Sequence, residues 1–199
     1  MMTSPSKDYH KLVDAVAREV IATVNGIYWG LAARQGGVLA EPEKVYVKAE
    51  KCAKWLVSTQ CKPSLILHGD MGTGKSTMLR AMYRAVRLAN RKCAIVTADT
   101  ISKMKLERPT DFEYLLDGWY EFLFIDDVGV EPADVKSYGN QMYPFAEIVR
   151  ARYDAGLPIV ITTNLKYPEE FAKVYGDRVA DRLREMANSL EFKGNSFRK

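Results

Sequence analysis

The stretch Gly69-Asp70-Met71-Gly72-Thr73-Gly74-Lys75-Ser76 decides how this chain is read. It fits G-x-x-x-x-G-K-[ST] at every defined position, the pattern of a phosphate-binding P-loop. A short apolar run, Leu65-Ile66-Leu67-His68, precedes it, and a helical pattern, Thr77-Met78-Leu79-Arg80-Ala81-Met82, follows. That strand–loop–helix setting is what gives the motif meaning. Glycines let backbone N–H groups curl around phosphate oxygens with no Cβ in the way. The helix start adds unpaired donors and the positive end of a dipole. Gly69 to Thr77 are therefore the expected nucleotide-binding segment. Lys75 is expected to reach the β- and γ-phosphates of ATP, and the Ser76 hydroxyl to ligate Mg²⁺.

Working outward, the run Phe122-Leu123-Phe124-Ile125-Asp126-Asp127 reads as an apolar strand ended by two acids. With a P-loop upstream, Asp126 is expected to hold Mg²⁺, directly or through water. Asp127 is expected to polarise the attacking water as general base. A third run, Ile159-Val160-Ile161-Thr162-Thr163-Asn164, is a strand ending in an amide. Asn164, with Thr163 second, fits a contact to the γ-phosphate, although Thr-Thr-Asn is equally a good strand-to-turn ending.

The rest of the chain frames these motifs. Its 199 residues suffice for one domain with a sizeable core, and 47% hydrophobic with 27% charged content is that of a soluble globular protein. No apolar run approaches a membrane span, and Met1 to Asp8 lack the apolar centre of a signal peptide. A cytoplasmic location without membrane partners is the expectation. Cys52, Cys61 and Cys93 are odd in number, which argues against a disulfide framework, and with His10 and His68 they show no metal-ligand spacing. A net charge of +4 is compatible with a polyanionic partner without demanding one.

Tyr9, Leu12, Val13, Val16, Val20, Val24, Tyr28 and Leu31 recur at helical spacing from Asp8 until Gln35-Gly36-Gly37. A second helix is predicted from about Pro42 to Gln60, with Val45, Ala49, Cys52, Trp55 and Leu56 on one side. Cys93 to Ala98 reads as a buried strand, Ser102 to Pro109 as a polar segment, and Thr110-Asp111-Phe112-Glu113 as a capping box opening a short helix. Glu121–Ile125, Pro158–Thr162 and Leu190–Phe192 read as further strands. Helices are predicted from about Gly139 to Ala155, from Glu169 to Tyr175 behind Pro168, and from Arg178 to Ala187. The alternation predicts an α/β fold, a parallel sheet sandwiched by helices. The expected division is an N-terminal helical segment over 1–60 and a P-loop domain over 61–199.

Five further blocks stand in order after the P-loop. They are Asp126-Asp127-Val128-Gly129-Val130-Glu131, Arg152-Tyr153, Thr162-Thr163-Asn164-Leu165, Gly176 to Arg184, and Gly194-Asn195-Ser196-Phe197-Arg198. Together they resemble the DnaC/IstB branch of the AAA+ ATPases, over about residues 60–199. The resemblance implies a P-loop AAA+ fold, ATP and Mg²⁺ as cofactors, and an ATPase, with slow or partner-stimulated turnover left open by Asp127. Arg178 matches the arginine finger that reaches a neighbouring subunit's ATP, with Arg182 one turn further as the second candidate. Arg198 matches the sensor arginine that reports on the γ-phosphate of its own subunit. A guanidinium is a permanent forked cation suited to charge spread over γ-phosphate oxygens. A finger acting between subunits requires a multimer, so an ATP-dependent homo-oligomer is implied. The implied partners are a replicative helicase or other AAA+ subunits, and single-stranded DNA. One departure is Asp127, where many such ATPases carry Glu.

The resemblance points to a helicase loader in DNA replication. A transposition helper of the same branch shares every motif, and a nucleotide-gated binding module with negligible turnover stays open through Asp127. A small-molecule kinase would need an acceptor site and an arginine-rich lid. Arg80, Arg84, Arg87 and Arg91 form one basic stripe, with Lys92 at its end, which is either a solvated or subunit-facing side or a phosphate-neutralising one. Lys103, Lys105 and Arg108 fall where the related ATPases carry insertions that touch single-stranded DNA. No sequence-reading module is visible, so any DNA binding is expected to be sequence-tolerant. The N-terminal helix, with Tyr28 and Trp29, either packs on the core or docks a partner.

Overall fold

Apolar runs long enough to be strands pair here into a five-stranded parallel sheet whose strands lie in the order Cys93–Thr97, Phe122–Val128, Ile159–Thr163, Ser64–Gly69, Ala187–Phe192. The computed structural model describes residues 22, 42–137 and 140–194. The helix read from Asp8, with Tyr28 and Trp29, and Arg198 lie outside the described residues. In chain order the elements are α1 (Pro42–Val57), β1 (Ser64–Gly69), α2 (Lys75–Leu88), β2 (Cys93–Thr97), α3 (Ala98–Glu107), α4 (Pro109–Leu116) and β3 (Phe122–Val128). A small antiparallel hairpin follows, β4 (Val135–Ser137) with β5 (Asn140–Met142). Then come α5 (Pro144–Asp154), β6 (Ile159–Thr163), α6 (Glu169–Tyr175), α7 (Asp177–Met186) and β7 (Ala187–Phe192).

Strand side chains alternate between faces, and the core divides accordingly. Leu65, Leu67, Phe124 and Val160 join Ala49, Cys52 and Trp55 of α1 and Met78, Leu79 and Met82 of α2 on one face. Ile66, Leu123, Ile125, Ile159 and Ile161 point to the other, under α3 to α7. Central strands covered on both sides must be apolar at nearly every position, which is why β1, β3 and β6 stand out as continuous runs. Each such side chain taken from water contributes about 1.5–3 kcal/mol.

Several boundaries differ from the sequence reading. β2 is an edge strand and only half-buried, and Ala98 already belongs to α3. The segment read as polar from Ser102 to Pro109 is mostly helix. α3 starts directly at the strand end, where the Thr97 hydroxyl accepts the Thr100 N–H at 3.1 Å as its N-cap. α4 starts on Pro109 at its first turn, not on a capping box at Thr110. The predicted helix from about Gly139 starts instead at Pro144, because the three-residue strands of the hairpin occupy part of that stretch. Among the described residues no helix is long and apolar enough to cross a membrane.

Candidate nucleotide site

The P-loop bridges β1 and α2, and its conformation explains its glycines. Gly72 and Gly74 have φ of 76° and 91°, left-handed values that other residues adopt at a cost. Gly74 caps α2, whose first N–H groups have no partner within the helix. At Gly69, φ is 129° and an added Cβ would lie 2.3 Å from the Phe192 carbonyl oxygen of β7. The loop is therefore built against the last strand. Asp70 N–H donates to Phe192 O at 3.0 Å, and the Asp70 carboxylate accepts from Gly194 N–H at 3.3 Å. The Thr73 hydroxyl donates to Asp70 O at 2.7 Å. Lys75 is buried, and its Nζ donates to the carbonyls of Gly69 at 2.8 Å and Asp70 at 2.6 Å. Met71 is exposed at the loop tip.

The two acids sit at the carboxyl end of β3. Asp126 is buried and Asp127 exposed. The β3–β6 register shifts between Ile125 and Val128, and Asp127 adopts φ of 58°. A bulge of this kind re-aims side chains beside a site, and aspartate tolerates the left-handed region better than most residues. Thr162 of β6 holds the bulge together. Its Oγ1 accepts the Asp127 N–H at 2.8 Å and donates to Asp126 Oδ1 at 2.6 Å. The second Asp126 oxygen faces Arg80, whose Nη2 lies 3.5 Å away. Arg80 is one helical turn beyond Ser76 on α2, so both residues share a face. The Thr163 hydroxyl is committed to backbone, donating to Val128 O at 2.7 Å and accepting Leu165 N–H at 3.0 Å. Asn164 is exposed immediately beyond β6.

Because β6 lies between β1 and β3, the structure brings the P-loop, Asn164 and the two acids to the same carboxyl edge of the sheet. Open parallel sheets bind ligands at that edge. Arg178 is exposed at the start of α7. This helix returns the chain from that edge to the amino end of β7, and near its far end the Arg184 carbonyl accepts from Lys62 Nζ at 2.5 Å, just before β1. Arg178 therefore lies toward the carboxyl-edge side. Arg182 differs from it: its guanidinium sits 5.5 Å from the Tyr153 ring centroid. The donor set suits a nucleotide triphosphate with a divalent cation. Backbone N–H groups, a lysine and a hydroxyl stand at a helix start, and a buried carboxylate stands two strands away.

Sequence reasoning missed Thr162, Glu131 and Tyr175. Thr162 carried a signal, a polar residue within an otherwise apolar strand. Glu131 is buried, accepts Gly129 N–H at 2.9 Å and accepts the Tyr175 hydroxyl, tying the loop after β3 to α6. That link joins residues far apart in sequence and left no local trace. Burial, with the carboxylate beside it, pushes the Tyr175 hydroxyl up, so it stays protonated as the donor. His68, at the end of β1, is held below its usual range by burial first, with Lys193 and Lys75 adding to the effect.

A family model described as IstB-like ATP binding protein matches residues 47–199. Among solved structures, DnaI superposes with a TM-score of 0.61 at 23% identity, covering 77% of this chain and 84% of that one. The DnaC helicase loader gives 0.55 at 18% identity, covering 78% and 92%. The replication initiator DnaA bound to AMPPCP and single-stranded DNA gives 0.58 at 16% identity, covering 81% of this chain and 49% of its own. At these identities the likeness is one of fold. No curated protein is significantly similar to the chain in sequence.

Proposed function

The chain belongs to the IstB-like ATP-binding protein family, and from that premise we propose that it is an ATP-hydrolysing AAA+ protein that loads a replicative helicase onto single-stranded DNA. The observation that carries this reading is the convergence of the P-loop, Asp126-Asp127 and Asn164 on adjacent strand ends.

In this proposal the P-loop N–H groups and Lys75 bind the phosphates, and Lys75 exchanges the carbonyls of Gly69 and Asp70 for phosphate oxygens. Ser76 and Asp126 would hold Mg²⁺, which would supply charge neutralisation to the phosphates. Asp127 accepts the proton of the attacking water, and Asn164 orients that water toward the γ-phosphate. Arg178 reaches the nucleotide of a neighbouring copy, and Arg198 reads the γ-phosphate of its own. The cation each supplies compensates charge that grows on the γ-phosphate oxygens. The likeness to DnaI and the DnaC helicase loader supports the replication reading. The family description supports a second one, a transposition helper that uses the same ATP switch with a different partner.

Helicase placement on circular single-stranded DNA tests the proposal. With the host's replicative helicase, ATP and Mg²⁺, the wild-type chain should raise DNA-bound helicase, and Lys75→Ala should not. An unchanged helicase yield, with stimulation of a transposase's strand transfer instead, would move the assignment to the second reading.

A further inference from the structure

A second cationic feature lies at the opposite end of the sheet from the P-loop. A cavity of about 540 Å³ opens where the end of α2 meets the start of β2, between Tyr83, Arg87, Arg91, Lys92, Trp119 and Tyr120. Cations and aromatic rings alternate across it. Arg87 lies 5.8 Å from the Tyr83 ring centroid, Arg91 5.7 Å from Phe122, and Lys92 4.7 Å from Trp119. Trp119 is 55% exposed, unusual for an indole that no core needs, and Tyr114 leans on it at 5.6 Å. Among the described residues no acid lines the cavity, and Glu121 nearby is paired with Arg91. Among the described residues Arg87 and Lys92 have no carboxylate partner, so the cavity keeps a net positive charge.

The three basic residues of the sequence reading present a contrast. Lys103 pairs with Asp99 at 2.6 Å, Lys105 with Glu147 at 2.6 Å, and Arg108 with Asp111 at 3.5 Å. Each already has an internal counter-charge that a phosphate would have to displace.

We propose that the cleft formed by Arg87, Lys92, Trp119 and Tyr83 is a binding site for single-stranded nucleic acid. The inference rests on the reading of the chain as a protein that engages single-stranded DNA, and it locates that contact. Cations without a carboxylate partner beside the exposed Trp119 and the half-buried Tyr83 and Tyr120 fit a strand whose phosphates and bases alternate. An acidic peptide would use the cations and leave the rings without a role. The open, shallow shape suits a strand passing across. With no groove-reading element among the described residues, the contact is expected to tolerate any sequence.

The test is fluorescence anisotropy of a labelled oligothymidylate with the full chain, in ATP and Mg²⁺, across a salt series. Arg87→Ala/Lys92→Ala should flatten the log affinity against log salt slope by about 1.4, from about 0.7 per phosphate contact on single strands. Trp119→Leu should weaken binding about tenfold, whereas Trp119→Phe, which keeps a stacking face, should stay near wild type. Fluorescent-ATP affinity should be unchanged in all three, which shows an intact fold. Wild-type binding that survives both changes would put the strand elsewhere and overturn the cleft while leaving the DNA reading intact. Absence of wild-type binding would remove the DNA reading and the cleft together. Equal competition by polyglutamate, with Trp119→Leu indifferent, would make the cleft a generic polyanion patch and also overturn the proposal.

Discussion

Asp127 sits on a strained turn of backbone, exposed at the end of a strand whose neighbour Asp126 is buried. Its N–H is held by the Thr162 hydroxyl, which helps to fix the backbone. Asp127→Asn keeps the side-chain shape and the tolerance for φ of 58°, and it removes the proton acceptor. ATP affinity should therefore change little while turnover falls about a hundredfold or more, read by comparing fluorescent-nucleotide binding with phosphate release. Arg80 poses a different question. Its cation lies on the same carboxylate that the proposal assigns to Mg²⁺. The arginine is 60% exposed, so solvent screens most of the repulsion. Arg80→Gln should lower the Mg²⁺ concentration that half-saturates nucleotide binding by about threefold, the factor expected for a screened pair. A higher Mg²⁺ requirement would instead make Arg80 part of the phosphate cradle.

At the scale of elements, Arg152 is the side chain on which several segments converge. It is fully buried, and its guanidinium donates to the carbonyls of Leu115 and Tyr120 at 3.0 Å, Glu121 at 3.0 Å and Pro158 at 3.1 Å. It thereby joins α5 to the end of α4 and to the approaches of β3 and β6. Burial pulls its guanidinium down to about 10, which still leaves it charged at neutral pH, solvated by carbonyl dipoles. Arg152→Met takes the side-chain donor from those carbonyls, of which Pro158 O keeps the Leu123 N–H, and should cost about 3–5 kcal/mol, read as a lower urea midpoint. Arg152→Lys, with a charge but no planar fork, should fall between the two. The elements also show what was legible. β1, β3 and β6 are readable because a strand covered on both faces must be apolar throughout. α3 was obscured because its polar surface consists of internal pairs, Asp99 with Lys103 and Lys105 with Glu147, that look like a basic loop when read singly. The β4–β5 hairpin has three-residue strands, too short for any period to show. In the site, the P-loop and Asp126-Asp127 carry their chemistry in consecutive residues. Thr162, Arg80 and the Glu131–Tyr175 link act through contacts across the sheet or between elements, which local pattern does not encode.

For the whole molecule, the central issue is whether one chain suffices. Arg178 stands exposed at the start of α7, toward the carboxyl-edge side of the sheet. In the proposed account it acts on the nucleotide of a second copy. Arg178→Ala should bind ATP like wild type and hydrolyse it at least tenfold more slowly. Mixing it with Lys75→Ala should restore part of the turnover, since each mixed interface can pair an intact P-loop with an intact finger. Failure of the mixture to recover would place the arginine outside the reaction.

The most direct measurement is ATP hydrolysis by the purified protein with and without single-stranded DNA, beside Lys75→Ala. The expected result is turnover that rises with DNA and vanishes in the variant. Turnover that persists without Lys75 would contradict hydrolysis at this P-loop, and none at any concentration of DNA and partner despite tight ATP binding would leave a nucleotide-gated binding module in place of the ATPase.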